Sequence, residues 1–314
     1  MSLPPGFSSS GEVALDRRYR WAKASLEAGE PLEARDILRQ TVADAPHWPP
    51  AWKLLGDALV GCGEAAAARL AFEQVLRLDH SDGLGASLDL ARLGALPSRQ
   101  AMPAGYVAAL FDDYADRFDA HLTGALAYRG PQAILAALGS CGATGAALRF
   151  ARALDLGCGT GLMGEAIRPF VGSLAGVDLS PAMLAKARAK LVYDRLALGE
   201  LVAFLLAEPG GSAALAMAAD VLVYVADLAP VLAAAAQVLA PGGLFAFTVQ
   251  FLPDEDAPEG FRLGEDNRFA HSPRHIGAAA AAHRFAIRHL EPVVTRQDAG
   301  RDVPGLVAVL AAIA

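Results

Sequence analysis

Cysteine is scarce in this sequence: 314 residues hold three, Cys62, Cys141 and Cys158. An odd, widely spaced set without a CxxC pair supports neither a disulfide framework nor a zinc site, and it fits a reducing compartment. Positive charge is also short, with 27 Lys and Arg against 34 Asp and Glu and a net charge of −7. The first hundred residues carry 11 basic and 13 acidic side chains. No part of the chain therefore offers the basic surface that a phosphate backbone requires, and nucleic acid is not expected as a partner. Long uninterrupted apolar runs are missing as well. The richest segment, Ala213 to Ala240, is broken by Asp220, Asp227 and Pro230, so no membrane span is expected. Residues 1–11 (MSLPPGFSSSG) lack the apolar centre of an export signal and read as a disordered leader, which makes a cytoplasmic location the expectation. What is plentiful is apolar: 54% of residues are hydrophobic and 19% charged, as in a well-packed globular protein long enough for two domains.

The N-terminal part repeats. Setting the segment from Arg18 against that from Trp52, an offset of 34 residues, aligns Gly29 with Gly63, Ala34 with Ala68, Arg35 with Arg69 and Leu38 with Phe72. That period and the series Trp52, Leu55, Gly56, Leu59, Gly63, Ala68, Phe72 resemble the tetratricopeptide (TPR) repeat. Small residues at Gly29/Gly63 and Ala34/Ala68 are expected to let paired helices approach closely, with Leu38 and Phe72 filling the space between hairpins. Pro31 suits the first turn of a helix. A further helix over Leu84 to Leu93 would cap the stack, and Pro97 to Pro103 reads as linker. The expected organisation is a leader (1–11), a TPR domain (12–96), a linker (97–104) and a second domain (105–314). Trp21, Trp48 and Trp52 are candidate anchors for a protein partner or for self-association.

From about Arg149 strand-like runs alternate with amphipathic helical patterns, which predicts a parallel sheet covered on both faces. Ligands of such sheets bind at the carboxyl ends of the strands. The first of these loops reads Asp155-Leu-Gly157-Cys158-Gly159-Thr-Gly161, whose glycines permit positive φ and bring backbone N–H groups against a ligand at a helix N-terminus. A nicotinamide-dinucleotide fingerprint needs glycine where Leu162 stands, and a P-loop needs an absent Gly-Lys-Ser/Thr. The next strand ends in Asp178, placed to accept hydrogen bonds from both hydroxyls of a ribose.

LDLGCGTG, GVDLSPAML and LAPGGLFAF, in that order, resemble the class I S-adenosylmethionine-dependent methyltransferases. FDDYADRFDAHL, LAYRGP, LVYDRLALGEL and ADVLVYVADL resemble predicted TPR-containing bacterial methyltransferases and the Williams-Beuren-region methyltransferase of animals. The resemblance implies a Rossmann-like α/β class I methyltransferase sheet behind an all-α TPR helical-hairpin domain. It implies S-adenosylmethionine as cofactor and S-adenosylhomocysteine as product. Carried over residue by residue, Asp155, Gly157, Cys158, Gly159 and Gly161 would hold the methionine end and Asp178 the ribose. Leu179 and Met183 would line the adenine, Glu200 and Leu201 would meet its edge, and Tyr128 and Arg129 would lie near the methionine carboxylate. Phe111, Tyr114 and Phe118 would form a lid. Strand four departs from the family by starting with the neutral Ser212-Ala-Ala-Leu-Ala-Met-Ala218, while Asp220 keeps its place beside the methyl-transfer region.

Transfer from a sulfonium needs alignment, exclusion of water and sometimes removal of a proton. Tyr224 and His271 are the candidate catalytic proton handlers. His271 and His275 lack a third ligand, so no metal is expected. The acceptor is a small molecule or a protein on this reading. The alternative is a cofactor-binding pseudoenzyme that acts as a TPR assembly factor.

Overall fold

A computed structural model describes residues 9–124, 127–141, 149–298 and 300–313. Residues 1–8 of the expected leader and Leu126 of the LAYRGP motif lie outside them. The chain separates into two compact units, Met1–Asp113 and Tyr114–Ala314.

The first unit is built from helices α1 (Val13–Glu27), α2 (Pro31–Asp44), α3 (Pro49–Gly61), α4 (Ala65–Leu78) and α5 (Ala86–Arg92), with most of α6 (Ala104–Tyr114). Ser9 and Ser10, read from the sequence as leader, instead hold the start of α1 through Asp16, with Ser9 Oγ and Ser10 N each 2.7 Å from its carboxylate. Pro31 opens α2 as expected. Ala34, Leu38, Ala68 and Phe72 are fully buried. Gly29 and Gly63 have a different role from the one expected. Both have positive φ, +81° and +74°, with open space where a Cβ would stand, so they turn the chain between helices instead of admitting a close approach. The close approach falls at Gly56, where a Cβ would land on the Phe72 ring. Trp48 is also no surface anchor: it is buried against Tyr19, ring centroids 5.0 Å apart. Trp52 donates to Pro46 O, and Trp21 stays exposed. The boundary between units falls inside α6 and not at residues 97–104, because Tyr106 packs where a Gly85 side chain would lie.

In the second unit α7 (Phe118–Thr123) and α8 (Gly130–Ser140) precede an alternating series. It runs β1 (Phe150–Leu156), α9 (Leu162–Ile167), β2 (Val171–Asp178), α10 (Pro181–Ala189), β3 (Arg195–Leu198), α11 (Leu201–Ala207), β4 (Ala213–Ala218), α12 (Ala229–Val238) and β5 (Leu239–Phe251). A hairpin of β6 (Phe261–Leu263) and β7 (Phe269–His271) follows, then α13 (Pro273–Ala282), β8 (Phe285–Asp298) and β9 (Arg301–Ala312). The order β3-β2-β1-β4-β5 is parallel throughout. β9 pairs antiparallel with β5, and β8 with β9. The apolar runs of β1, β4 and β5 are buried on both faces, with Ile134, Leu138, Met163 and Ile167 on one side and Phe204, Leu232 and Ile276 on the other.

Two local outcomes differ from the sequence pattern. The apolar run after Ala218 is no strand, because Asp220 takes φ +59° and the chain turns into a 3-10 helix over Leu222–Tyr224. The acidic, Pro-broken stretch 252–268, which shows no period in the sequence, contains β6, whose three residues are too few to show one. The neutral start of β4 also has its explanation: Arg152 of β1 donates to Ser212 Oγ at 2.6 Å and pairs with the buried Glu208, which Arg195 of β3 joins.

Gly56→Ala is expected to lower stability by about 1–3 kcal/mol through overpacking against Phe72, read as a lower urea midpoint. Adding Phe72→Leu should return part of the loss, a coupling that a double-mutant cycle measures.

Candidate functional site

The loop between β1 and α9 is shaped by backbone that only glycine adopts readily. Gly157, Gly159 and Gly161 have φ of +64°, +52° and +93°. At Gly157 a Cβ would also stand 2.6 Å from Val221 Cγ2. Cys158 N donates to Val177 O and Gly161 N to Cys158 O, which fixes the loop against β2. Asp178, at the end of β2, finishes the arrangement. Its Oδ2 accepts from Gly159 N at 2.8 Å and its Oδ1 from Ser180 N at 2.9 Å. Ser180 caps α10, accepting from Met183 N at 3.0 Å.

Beneath this loop lies a pair that the motifs do not announce. Tyr193 O–H donates to Asp155 Oδ2 at 2.6 Å. The ring fits because its neighbours have no side chains: a Cβ at Gly164 would strike the hydroxyl, and one at Gly176 would stand 2.9 Å from Cε1. Burial raises the Asp155 carboxyl to about 7, against the lowering effect of the Tyr193 hydrogen bond. Burial and Asp155 together push the Tyr193 hydroxyl far up, so Tyr193 is the donor.

Segments before α8 cover the loop. Phe118 Cε1 is 3.8 Å from where a Gly159 Cβ would be, and the Tyr114 and Phe118 rings meet edge to face at 5.4 Å. Asp119 accepts from Thr160 Oγ1 and pairs with Lys190 at 3.1 Å, while Asp116 pairs with Lys186 at 2.8 Å. Phe111 belongs to the first unit.

A second polar group gathers at the far ends of β4, β5 and β8. Arg296 is 1% exposed and lies 3.7 Å from Asp220 Oδ1 and 3.2 Å from Asp266 Oδ2. Gln250 Nε2 donates to the same Asp266 oxygen at 2.7 Å. The Arg268 guanidinium sits over the Tyr224 ring, 5.9 Å from its centre. Tyr128 is embedded between Asp220, Asp155 and Arg296, and burial raises its hydroxyl well above the usual range.

The expected residues thus divide. Gly157, Cys158, Gly159, Gly161, Asp155, Asp178, Tyr128 and Asp220 converge at the strand ends. Leu179 is half-buried beside Asp178. Met183 has no exposed surface, so in this conformation it supports α10 and cannot touch an adenine. Glu200 is exposed and caps α11, accepting from Ala203 N at 2.9 Å, and Leu201 packs against the core. Arg129 is exposed, and its backbone N donates to Thr295 O at 2.7 Å. His271 is fully buried, its Nε2 3.3 Å from Leu222 O, and burial with the neighbouring His275 lowers it to about 4. A group with no accessible surface cannot exchange a proton with a bound acceptor. Burial likewise raises the Tyr224 hydroxyl, although Arg268 opposes it, so Tyr224 keeps its proton near neutrality. Tyr193, Arg268 and Arg296 went unnoticed in the sequence. For Tyr193 a signal existed, since Gly164 and Gly176 are glycines where an ordinary helix and strand need none. Among the described residues no group of three or more His, Cys, Asp or Glu could hold a metal, and no helix is long and apolar enough to cross a membrane.

The strand order with its antiparallel β9, the three-glycine loop and the acid ending β2 give the second unit a Rossmann-like α/β fold. Residues 154–247 match the family model of a methyltransferase domain. A ubiquinone biosynthesis O-methyltransferase of Xanthomonas campestris pv. campestris is 33% identical over 111 residues, 34% of this chain and 46% of the relative. A TPR repeat-containing protein of Pseudomonas aeruginosa is 39% identical over 59 residues, 19% of this chain and 56% of that protein. The chain thus spans about half the length of the curated relatives it matches. The fold is shared with a Burkholderia thailandensis 1,6-didemethyltoxoflavin-N1-methyltransferase solved with S-adenosylhomocysteine, at TM-score 0.50, 17% identity and coverage of 67% of this chain and 89% of that one. It is shared also with a Haloferax volcanii putative methyltransferase in complex with the Trm112 activator, at TM-score 0.52, 19% identity and coverage of 65% and 98%.

The Asp155 shift predicts a pH dependence. Its folded value, about 7, lies above the unfolded 3.8, so the folded state binds the extra proton and stability falls as pH rises between those values. Asp155→Asn should flatten that fall in urea midpoints measured without ligand from about pH 4 to about pH 8.

Proposed function

We propose that the second unit transfers a methyl group from S-adenosylmethionine to an acceptor, a small molecule or a protein. The observation that carries this reading is the loop of three positive-φ glycines closed by Asp178. That loop presents backbone where a Cβ would obstruct a ligand, and Asp178 adds a carboxylate suited to a ribose diol and hostile to a 2′-phosphate. S-adenosylmethionine supplies a methyl group already activated on a sulfonium.

The chain's own residues then bind and orient. Asp178 takes the ribose hydroxyls, Leu179 lies against the base, and Gly157 to Gly161 receive the amino acid end, with Asp155 held beneath by Tyr193. Tyr114 and Phe118 exclude water from above. Tyr128, Asp220 and Tyr224 face the reacting centre. Tyr224 keeps its proton and so orients the acceptor as a hydrogen-bond donor, without acting as base. The helical unit serves a protein partner or self-association, a reading supported by the TPR relative and by Trp21, Leu32 and Leu70, exposed by 59%, 60% and 61%.

Calorimetry with S-adenosylmethionine and S-adenosylhomocysteine tests the cofactor reading. Asp178→Ala should lower affinity for both about tenfold to a hundredfold, the worth of one or two charge-assisted hydrogen bonds, and leave circular dichroism unchanged. Unchanged affinity would refute the assignment. Binding of both ligands with no methyl transfer to any lysate fraction would favour a pseudoenzyme. For the helical unit, Trp21→Glu with Leu70→Glu is expected to dissociate a partner or oligomer in light scattering and to leave cofactor affinity as it was.

A further inference from the structure

Arg296 has more hydrogen-bonding capacity than its surroundings use. A buried guanidinium is costly unless its N–H groups are satisfied. Among the described residues Asp266 accepts from its Nη2 at 3.2 Å, and Asp220 Oδ1 stands 3.7 Å from Nη1. Among the described residues Nη1 meets no acceptor, and the same holds for the buried Nε of Arg268. The two guanidinium groups converge, since Arg296 Nη2 and Arg268 Nη1 lie 3.2 and 3.7 Å from the same Asp266 oxygen. Structural arginines in protein interiors are ordinarily satisfied by the groups around them. Here two buried N–H groups are left over on two arginines that share one Asp266 oxygen, where the strands end and ligands of this fold bind.

The surroundings narrow the chemistry. The Tyr224 ring underlies Arg268, and Tyr114 feels both Arg268 and Tyr224 electrostatically. A planar group can therefore lie along aromatic surface while its edge reaches the arginines. The cofactor elements, Asp178 and the glycine loop, belong to β1 and β2. The arginine pair belongs to the end of β8 and to the β6–β7 turn, with Asp220 and Tyr128 between the two sets. A planar carboxylate matches guanidinium forks in two parallel hydrogen bonds.

We propose that Arg296 and Arg268 form the acceptor-recognition site and that the acceptor is an aromatic or otherwise planar molecule bearing a carboxylate. This rests on the methyltransferase reading above. Asp220 and Asp266 neutralise the pair when no acceptor is bound, and the carboxylate binds by displacing Asp266, the part-exposed member on the β6–β7 turn, from the two guanidinium groups that it bridges.

The test uses the full chain saturated with S-adenosylhomocysteine and titrated with benzoate, 3-hydroxybenzoate and the neutral isostere benzamide. Benzoate or its hydroxy derivative should bind and benzamide should not. Arg296→Met and Arg268→Met should each weaken carboxylate binding about tenfold or more, with affinity for S-adenosylhomocysteine retained as the control for folding. Arg296→Lys should restore part of the binding. If Arg296→Met does not fold, Arg268→Met on the more exposed partner decides alone. Equal binding of benzoate and benzamide, or no carboxylate binding at all, would overturn the proposal. So would a folded Arg296→Met variant that loses S-adenosylhomocysteine, since Arg296 would then serve the cofactor's own carboxylate. Wild-type protein that binds no S-adenosylhomocysteine would sink the methyltransferase reading instead, and benzoate titration of that same protein would still judge the arginine pair.

Discussion

One carboxylate holds together the parts that make the site. Asp178 accepts from Gly159 on one side and Ser180 on the other, so the loop after β1 and the start of α10 are set at fixed distance from the end of β2. Glycines at positive φ are entropically costly to order. Without that anchor the loop would have many conformations of similar energy. With it the loop is held to one. The Tyr193–Asp155 contact repeats the device one layer lower: a polar bond made beneath the loop replaces the side-chain packing that glycines cannot provide.

The two halves of the site differ in electrostatic character. On the β1–β2 side the groups are carboxylates and backbone N–H, and the carboxyl of Asp155 is raised by burial. On the β4–β5–β8 side two arginines balance two aspartates. Tyr128 lies between them and feels Asp220, Asp155 and Arg296 at once. A cationic sulfonium on the first side would meet carboxylates, an anionic acceptor on the second would meet the two arginines once it takes the place of Asp266, and Tyr128 stands between the two sides. That ordering brings oppositely charged partners together without asking the protein to move a metal or a buried proton.

Much of the fold was legible in the sequence because it rests on short-range physics. The 34-residue offset follows from hairpins that must stack, and the alternation of apolar strands and amphipathic helices follows from a sheet covered on both faces. The glycine loop and Asp178 were legible because backbone geometry leaves few residue types to choose from. What escaped depended on distant partners. Gly29 and Gly63 looked like packing residues until their φ angles were seen. His271 beside a helix cap looked like a base, yet β7 and Leu222 bury it completely. Arg296 lies in a strand with no motif around it. It gains meaning only from Asp220 and Asp266, which are 76 and 30 positions earlier.

The hairpin of β6 and β7 pairs with the main sheet at Gln250 and Phe251, the last rungs of β5. Its strands are three residues long, and the turn between them carries Asp266 and Arg268. Such an attachment separates two kinds of inheritance. Residues that would grip the cofactor lie at the ends of the parallel strands and in the loop after β1, where a change disturbs the core. Of those that would choose the acceptor, Arg296 is fixed on β8, whereas Arg268 and the shared partner Asp266 stand on a short turn outside the parallel strands. A change of acceptor preference would then be sought first in that turn, where a substitution leaves the parallel strands and the glycine loop as they are.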